Sequence, residues 1–156
     1  MELIKGLNND MKILQKMCFV LLMTTFSSVY GGDCFKDKDV DDCREKAEQG
    51  IPLAQSVLGY MYNEGIGVPQ DYKESVKWYR KAAEQRFAEA QPNLGLMYVK
   101  GQGVLQDYVM AHMYWNIAAV NGDKNAIGNR GIIEESMTAS QIEKAQDLAR
   151  EWMRTH

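Results

Sequence analysis

GIGVPQDY, residues 65–72, returns 36 positions later as GQGVLQDY, residues 101–108. The similarity extends on both sides of these stretches, because residues 52–87 align with residues 88–123 without a gap and 14 of the 36 positions are identical. A period in the mid-thirties that carries helical patterns is typical of α-solenoids, in which each unit buries its apolar face on a neighbour. The sequence therefore predicts an all-α solenoid with two full units.

Each unit begins with the pattern of a first helix. Its apolar residues recur at spacings of four, three and one, which places them on one helical face. They are Ala54, Leu58, Met61 and Tyr62 in the first unit and Ala90, Leu94, Met97 and Tyr98 in the second. Gly59 and Gly95 interrupt this face, although glycine weakens a helix by about 1 kcal/mol relative to alanine. Their repetition predicts a helix–helix approach too close for a Cβ atom.

The second helix of each unit follows an aspartate. Asp71 and Asp107 are good N-cap residues, and Glu74 at the N3 position predicts a capping-box pair with Asp71. The expected buried faces are Val76, Tyr79, Ala82 and Ala83 in the first unit and Ala111, Trp115, Ala118 and Ala119 in the second. Asp71 and Asp107 are therefore interpreted as helix caps, and not as a pair of catalytic carboxylates.

The repeated GxGV segment joins the two helices of a unit. Glycine adopts left-handed backbone angles without steric cost, so Gly65 and Gly101 are expected to end the first helix. A phosphate-binding loop would require a preceding strand and a following Lys with Ser or Thr, and neither is present. The segment is therefore interpreted as a structural turn, and no nucleotide cofactor is expected.

The segment LGYMYNEGIGVPQDYKESVKWYRKAAEQ, residues 58–85, resembles the Sel1-like repeat, a relative of the tetratricopeptide repeat. The resemblance covers residues 52–123 and rests on LGxMY, GxGV, DY and AA at one spacing. It implies an antiparallel helix pair in each repeat and a right-handed superhelix with a concave binding surface. Arg86 departs from the family, which usually has glycine in the turn between units. An arginine with positive φ would cost about 1 kcal/mol, unless the turn takes another shape.

Further helices are expected on both sides of the two units. Residues 32–51 form an N-terminal helix segment with the cysteine pair, and within it residues 40–50 match the end of a second helix, because Glu48 and Gln49 lie 36 positions before Glu84 and Gln85. This N-terminal segment would cover the first apolar face of the solenoid.

Residues 124–156 begin a degenerate third unit, in which Ala126 takes the place of Ala90 but LGxMY is absent. A last helix follows, with Thr138 and Gln141 as a capping box. Its apolar stripe is formed by Ile142, Ala145, Ala149 and Trp152. We expect this helix to cap the solenoid by covering the last exposed face, which brings the number of helices to seven.

Residues 1–31 have the pattern of a secretory signal peptide. Lys12 and Lys16 precede an apolar run of 13 residues, Met17–Val29, with small residues beyond it. The run is shorter than the roughly 20 residues that a transmembrane helix needs, and cleavage is expected near Gly31. The mature chain would then be periplasmic or secreted. The alternatives are an uncleaved anchor or a buried helix.

Two cysteines, Cys34 and Cys43, remain once Cys18 leaves with the signal peptide. Two cysteines in an oxidising compartment most often pair. Their separation of nine positions requires the chain around Cys34 to fold back onto the helix that carries Cys43. A Cys34–Cys43 disulfide is therefore the prediction, with two free thiols or pairing to another chain as the alternatives.

The charge of the chain limits the partners that it can bind. Without residues 1–31 it carries 15 basic and 19 acidic residues, a net charge of −4. This balance argues against a nucleic-acid partner, since such a binder needs basic density to neutralise phosphates. Nothing in the mature region is apolar enough for insertion into a membrane.

A calcium loop is suggested by the spacing of Asp37, Asp39, Asp41 and Glu48. However, such a loop needs glycine at its sixth position, where this chain has Asp42. Asp39 is interpreted instead as a helix cap, and no metal is expected. His112 has no histidine or cysteine partner at ligand spacing, and it is interpreted as a surface or interhelical histidine.

Binding is expected where the two units differ while their frame stays fixed. Related helical repeats line their concave surface with residues of the first helices, which points to the variable positions of those helices. The candidate partner-binding residues are Ser56, Tyr60, Asn63, Glu64, Asn93, Leu96, Val99 and Lys100. This mixture of apolar, amide and oppositely charged side chains suits an extended peptide or a helix better than a polyanion.

The expected function is that of an exported interaction module that binds a protein or peptide partner in the cell envelope, without catalysis. One alternative is a β-lactam-binding or β-lactam-hydrolysing enzyme, an activity attributed to a cysteine-rich branch of Sel1-like proteins. That branch places a cysteine pair inside each repeat, and residues 52–123 contain no cysteine. A structural cap or inhibitor subunit of a complex is a third alternative. The oligomeric state stays open.

Overall fold

The computed structural model describes residues 39–156, which form seven helices and no strand. The helices are α1 (Val40–Glu48), α2 (Pro52–Glu64), α3 (Tyr72–Glu84), α4 (Ala90–Lys100), α5 (Tyr108–Val120), α6 (Lys124–Glu134) and α7 (Ala139–Thr155). The first unit consists of α2 and α3, and the second of α4 and α5. The end of α1 lies 36 residues before the end of α3. Therefore α1 takes the place of the second helix of a preceding unit. The predicted all-α solenoid with seven helices is confirmed.

Oxygen-bearing side chains cap the N-termini of most described helices. The residues that accept hydrogen bonds from the first turn are Asp39, Asp71, Asp107, Asp123 and Thr138. Asp71 Oδ1, for example, accepts from the N–H groups of Lys73 and Glu74 at 2.9 and 3.1 Å. The predicted caps at Asp39, Asp71 and Asp107 are confirmed.

The capping box forms at only one of its two predicted places. Thr138 and Gln141 bind each other's backbone N–H groups, as expected. The box predicted for Asp71 and Glu74 is wrong, because the N–H of Asp71 donates to the carbonyl of Tyr62 at 2.9 Å. The Glu74 carboxylate instead accepts from Lys77 Nζ at 3.0 Å.

Left-handed backbone angles occur where the repeat predicts them. Gly65 and Gly101 end α2 and α4 with φ of 70° and 65°, as expected for the GxGV turns. The turns between units have φ of 89° at Gly50, 62° at Arg86 and 95° at Gly122. Arg86 therefore adopts the glycine conformation. Its Nη2 also donates to the carbonyl of Met153 in α7 at 2.7 Å, a contact that glycine could not make.

Each unit is held together by an aromatic ring that packs on a glycine. A Cβ atom on Gly59 would lie 3.0 Å from the ring of Tyr79, and one on Gly95 would lie 2.5 Å from Trp115 Nε1. The predicted close approach of the two helices is confirmed in both units. The Trp115 indole N–H also donates to the carbonyl of Pro92 at 3.1 Å, which fixes the ring against α4.

Polar contacts link successive units at the same repeat position. Arg44 Nη2 lies 3.5 Å from the hydroxyl of Tyr62, and Arg80 Nη2 donates to the hydroxyl of Tyr98 at 2.6 Å. The ring of Tyr98 in turn stacks on that of Tyr114, with centroids 5.8 Å apart. These contacts join a second helix to the first helix of the following unit.

The junction between α5 and α6 uses other residues for the same purpose. Glu134, which takes the place of Tyr98, binds Nε2 of the fully buried His112 at 2.7 Å. Arg130 lies 3.4 Å from the same carboxylate oxygen and donates to Asn116 Oδ1 at 2.7 Å. The prediction of an interhelical histidine is thereby confirmed.

The last helix, α7, packs on α5 and makes little contact with α6. Ala145 and Ala149 of the predicted stripe are fully buried, whereas Ile142 and Trp152 are half-buried. The last helix therefore caps the solenoid, and the helix that its stripe covers is α5. Among the described residues, no helix covers the corresponding face of α6.

Two predictions fall on the N-terminal part of the chain. The signal peptide at residues 1–31 and the Cys34 side of the Cys34–Cys43 disulfide lie outside the described residues. Cys43 itself is fully buried with Ala47 and Leu58 in the small core between α1 and α2. Within residues 39–156, no helix has the length and apolar character needed to cross a membrane.

Candidate peptide-binding surface

A pocket of about 380 Å³ opens between the first helices of the two units and the turn that joins them. Side chains of α2, α3 and α4 and of the α3–α4 turn form it, and most of them are apolar. The lining residues are Leu53, Ser56, Val57, Tyr60, Tyr79, Phe87, Glu89 and Asn93. We call this set the α2–α4 pocket.

Tyr79 forms the base of the α2–α4 pocket, since its ring is held against Gly59 and is only 2% exposed. Burial raises the pKa of the Tyr79 hydroxyl well above its ordinary value, and the nearby Glu64 and Tyr60 raise it further. The hydroxyl therefore stays protonated at neutral pH. The base of the pocket is a neutral aromatic surface that favours an apolar side chain of a ligand.

Three of the eight candidate residues line the α2–α4 pocket: Ser56, Tyr60 and Asn93. Tyr60 is 42% exposed, so its ring is available to a ligand, whereas Ser56 is buried. Asn93 is fixed by a hydrogen bond of 2.7 Å from its Nδ2 to the carbonyl of Glu89. Three of the eight first-helix positions chosen from the sequence therefore meet at one pocket, and Tyr60 is the most accessible of the three.

Four other candidates lie at the C-terminal ends of α2 and α4 and do not line the pocket: Asn63, Glu64, Val99 and Lys100. The backbone carbonyls of Asn63 and Val99 accept hydrogen bonds from the Nε2 atoms of Gln70 and Gln106, each at 2.7 Å. These bonds fasten each GxGV loop to its helix. The backbones of Asn63 and Val99 therefore hold the GxGV loops in place, and neither residue lines the pocket.

Leu96 belongs to a row of exposed apolar residues that extends past the pocket. Tyr60, Leu96 and Ile132 occupy the same position of three successive first helices, 36 residues apart, and are 42%, 40% and 67% exposed. Ile132 is absent from the sequence-based candidates because the third unit lacks LGxMY. A count of one further period from Leu96 would have found it. We call Tyr60, Leu96 and Ile132 the apolar row.

Val57 is another position at which the two units differ, with Asn93 as its counterpart, whereas Leu53 was missed. Leu53 and Val57 precede Tyr60 by seven and three positions, which is the spacing of a second apolar stripe on α2. That spacing predicts both residues. Phe87 ends the first unit and Glu89 lies at the start of the second, where the backbone of the Arg86 turn decides which way they face. No sequence pattern indicated their direction.

The lining of the α2–α4 pocket combines apolar and polar side chains. Glu89 is its one charged residue, and Ser56, Tyr60, Tyr79 and Asn93 add hydroxyl and amide groups. Among the described residues, no group of three or more His, Cys, Asp or Glu side chains could hold a metal ion. The α2–α4 pocket and the apolar row together can hold the alternating apolar and polar side chains of a peptide.

The two repeated units of the sequence also match a known repeat family. The Sel1 repeat family matches residues 52–87 and residues 88–123, the same two ranges that the internal alignment gives. Residues 52–87 and 88–123 are Sel1 repeats. Proteins with Sel1 repeats are commonly protein-interaction modules. Among curated proteins, none matches the sequence.

Solved structures with this architecture come from several bacteria. A protective antigen of uropathogenic Escherichia coli with an SLR fold is 36% identical, with a TM-score of 0.72 over 75% of this chain. A Sel1 repeat protein from Oxalobacter formigenes is 41% identical, with a TM-score of 0.52 over 53% of this chain. The present chain spans 25% of the length of the antigen and 63% of that of the Oxalobacter protein.

Cysteine rich protein B of Helicobacter pylori shares the fold at 24% identity. The TM-score is 0.55, and the match covers 60% of this chain and 70% of that protein. The Sel1 repeats described above contain no cysteine. The likeness to this third protein therefore concerns the arrangement of the helices alone.

Proposed function

We propose that this Sel1 repeat protein is an exported interaction module that binds a peptide or helix of a partner protein on its first-helix surface. The observation that carries the proposal is the apolar row beside the α2–α4 pocket. Large apolar side chains gain about 25 cal/mol for each Å² that they bury, and these three exposed residues recur at the same position of successive first helices. The partner is expected to place apolar side chains over Tyr60, Leu96 and Ile132.

The proposal predicts a partner with alternating character. An apolar side chain would enter the α2–α4 pocket over Tyr79, while polar groups of the same segment would meet Glu89 and the Tyr60 hydroxyl. Side chains at the centre of such a contact contribute most of the binding free energy once water is excluded. Tyr60 is the candidate for this role, because aromatic residues are enriched among such positions.

A pull-down with matched variants tests the binding surface. The full wild-type chain with a C-terminal affinity tag is incubated with cell-envelope extract. Three variants are treated in the same way: Tyr60→Glu, Leu96→Glu and Leu105→Glu. Leu105 is 90% exposed and lies in the GxGV loop of the second unit, outside the proposed surface. Circular dichroism would verify that all variants remain folded.

The expected result is one protein that is captured by the wild type and by Leu105→Glu and is lost from Tyr60→Glu and Leu96→Glu. A protein captured equally by all four forms would contradict the proposed surface. An extract that yields no specific protein would contradict the proposed envelope partner.

The export part of the proposal rests on residues 1–31, where two lysines precede an apolar run. Its test is expression in a Gram-negative host, followed by fractionation and by mass measurement of the recovered chain. We expect a periplasmic protein that begins near Gly32. Recovery of the uncleaved chain from the cytoplasm would contradict export and would leave the binding surface untouched.

A further inference from the structure

The third unit has the same register as the two complete Sel1 repeats on one side of its first helix. Ala126 and Ile133 of α6 are buried against the preceding helices, as Ala90 and Met97 of α4 are. Since α6 also packs on α5, it joins the solenoid in the same way as a complete repeat would.

The other side of α6 differs from its counterparts in α2 and α4. Gln55 and Gly59 of α2 are covered by α3, and Gln91 and Gly95 of α4 are covered by α5. The equivalent positions of α6, Ile127 and Gly131, are exposed, and so is Gly128 beside Ile127. We call these three residues the open face of α6.

Steric data show that the open face is unoccupied within the described chain. Ile127 is 50% exposed, and Cβ atoms placed on Gly128 or Gly131 would meet nothing within 4 Å. The helix that follows in sequence, α7, packs on α5 instead and is joined through its Met153 carbonyl to Arg86. Within residues 39–156, no second helix therefore covers the α6 surface that pairs with such a helix in the other units.

The complete repeats show which kind of helix fits this surface. Tyr79 packs on Gly59 in the first repeat, and Trp115 packs on Gly95 in the second. Alanines follow three positions after each aromatic residue, and they are fully buried. The covering helix thus brings one large ring to the glycine and small side chains beyond it.

A further contact lies six positions after each aromatic residue. There Gln85 Nε2 donates to Gln55 Oε1 at 2.8 Å, and Asn121 Nδ2 donates to Gln91 Oε1 at 2.9 Å. In α6, Ile127 takes the place of the two acceptors, Gln55 and Gln91. Because the isoleucine side chain cannot accept a hydrogen bond, a side-chain amide buried against it would lose its partner. A helix that fits α6 should therefore carry an apolar residue at this point.

We propose that the open face of α6 docks an amphipathic helix of a partner protein, antiparallel to α6, with Tyr or Trp over Gly131 and an apolar side chain against Ile127. Both complete repeats fill the same helix-pair interface, and α6 extends the series by one further first helix. A second copy of this chain cannot supply α3 or α5, because their aromatic residues are buried in their own repeats. This docking site is separate from the α2–α4 pocket.

A synthetic helix tests the proposal directly. The probe is a fluorescein-labelled peptide with the sequence of residues 70–86 and the change Gln85→Leu, and its anisotropy is measured with increasing full chain. The chain is also used as Gly131→Leu, which adds a side chain where a Cβ atom would meet no described atom within 4 Å. The matched control is Gln146→Leu, which adds the same side chain to an exposed position of α7.

Saturable binding to the wild type and to Gln146→Leu is expected, with a loss of about tenfold or more for Gly131→Leu. A peptide that also carries Tyr79→Ala should bind about tenfold more weakly to the wild type. The absence of saturable binding, or equal binding to all three chains, would overturn the proposal. A dimer in light scattering that Gly131→Leu dissociates would overturn the partner helix in favour of a second copy. None of these outcomes depends on the pull-down with Tyr60 and Leu96 variants.

Discussion

Three glycines at one repeat position have different surroundings, which makes them a test of the account at the scale of single residues. Gly59 and Gly95 lie under aromatic rings, whereas no part of residues 39–156 covers Gly131. A helix prefers alanine over glycine by about 1 kcal/mol. For a substitution to alanine, steric overlap opposes this gain in stability at Gly59 and Gly95, whereas the gain acts alone at Gly131.

Gly95→Ala and Gly131→Ala should change stability in opposite directions. The first would place a Cβ 2.5 Å from Trp115 Nε1 and should lower the free energy of unfolding by about 1–3 kcal/mol, as overpacking does. The second should raise it by up to about 1 kcal/mol. Urea unfolding followed by circular dichroism measures both. Stabilisation by Gly95→Ala would contradict the packing described for the repeats.

Arg86 combines a strained backbone with a useful side chain. Arg86→Gly removes the left-handed strain and the bond to Met153, whereas Arg86→Ala removes the bond and keeps the strain. Arg86→Ala should therefore be less stable than Arg86→Gly by about 1 kcal/mol. Thermal unfolding of the two variants gives the difference. Equal stabilities would mean that residue 86 does not hold a positive φ in solution.

The buried hydroxyl of Tyr114 makes the stability of the protein depend on pH in the alkaline range. Burial raises the pKa of its hydroxyl to about 12, with a smaller contribution from Tyr98. The folded chain therefore keeps a proton that the unfolded chain releases above its ordinary pKa of about 10. This contribution to stability is complete below about pH 10 and is lost as the pH rises toward 12. Tyr114→Phe should show a shallower decline of the urea midpoint over this range, and an unchanged decline would contradict the assignment.

At the scale of the helices, the sequence determined most of the structure. The 36-residue period, the aspartate caps and the paired glycines all act locally or between adjacent helices, so the boundaries and the pairing could be predicted. The Asp71 capping box failed because the N–H of Asp71 binds Tyr62, a contact across the GxGV turn. The packing partner of α7 could not be predicted for a similar reason. Its stripe of Ala145 and Ala149 shows that it packs, but the stripe does not specify on which helix.

The junction between α5 and α6 depends on Glu134 in the place of a tyrosine. Glu134→Ala leaves His112 buried without its hydrogen bond and frees Arg130, so it should lower the free energy of unfolding by about 1–2 kcal/mol. Glu135→Ala, at the exposed neighbouring position, should change it by less than about 0.5 kcal/mol. Urea unfolding compares the two variants. Equal effects would show that the His112–Glu134 contact does not hold α6.

At the scale of the whole molecule, part of the candidate site was accessible from sequence. The differences between repeats pointed to Tyr60, Asn93 and Leu96, since a fixed frame tends to leave its variable positions on the surface. They also pointed to Ser56, which lines the α2–α4 pocket although it is buried. Ile132 was missed because the third unit departs from the repeat motif. The direction of Phe87 and Glu89 depends on the Arg86 turn, and the open face of α6 depends on where α7 packs. Both are long-range outcomes that no local pattern records.

The most direct test of the proposed binding surface is site-specific photocrosslinking in living cells. A benzophenone amino acid is placed at position 60, 96 or 105 of the full chain, and adducts are identified by mass spectrometry after irradiation. The account predicts one common protein attached at positions 60 and 96 and no such adduct at position 105. Adducts at position 105 alone, or the same adducts at all three positions, would contradict a partner that docks on the first-helix surface.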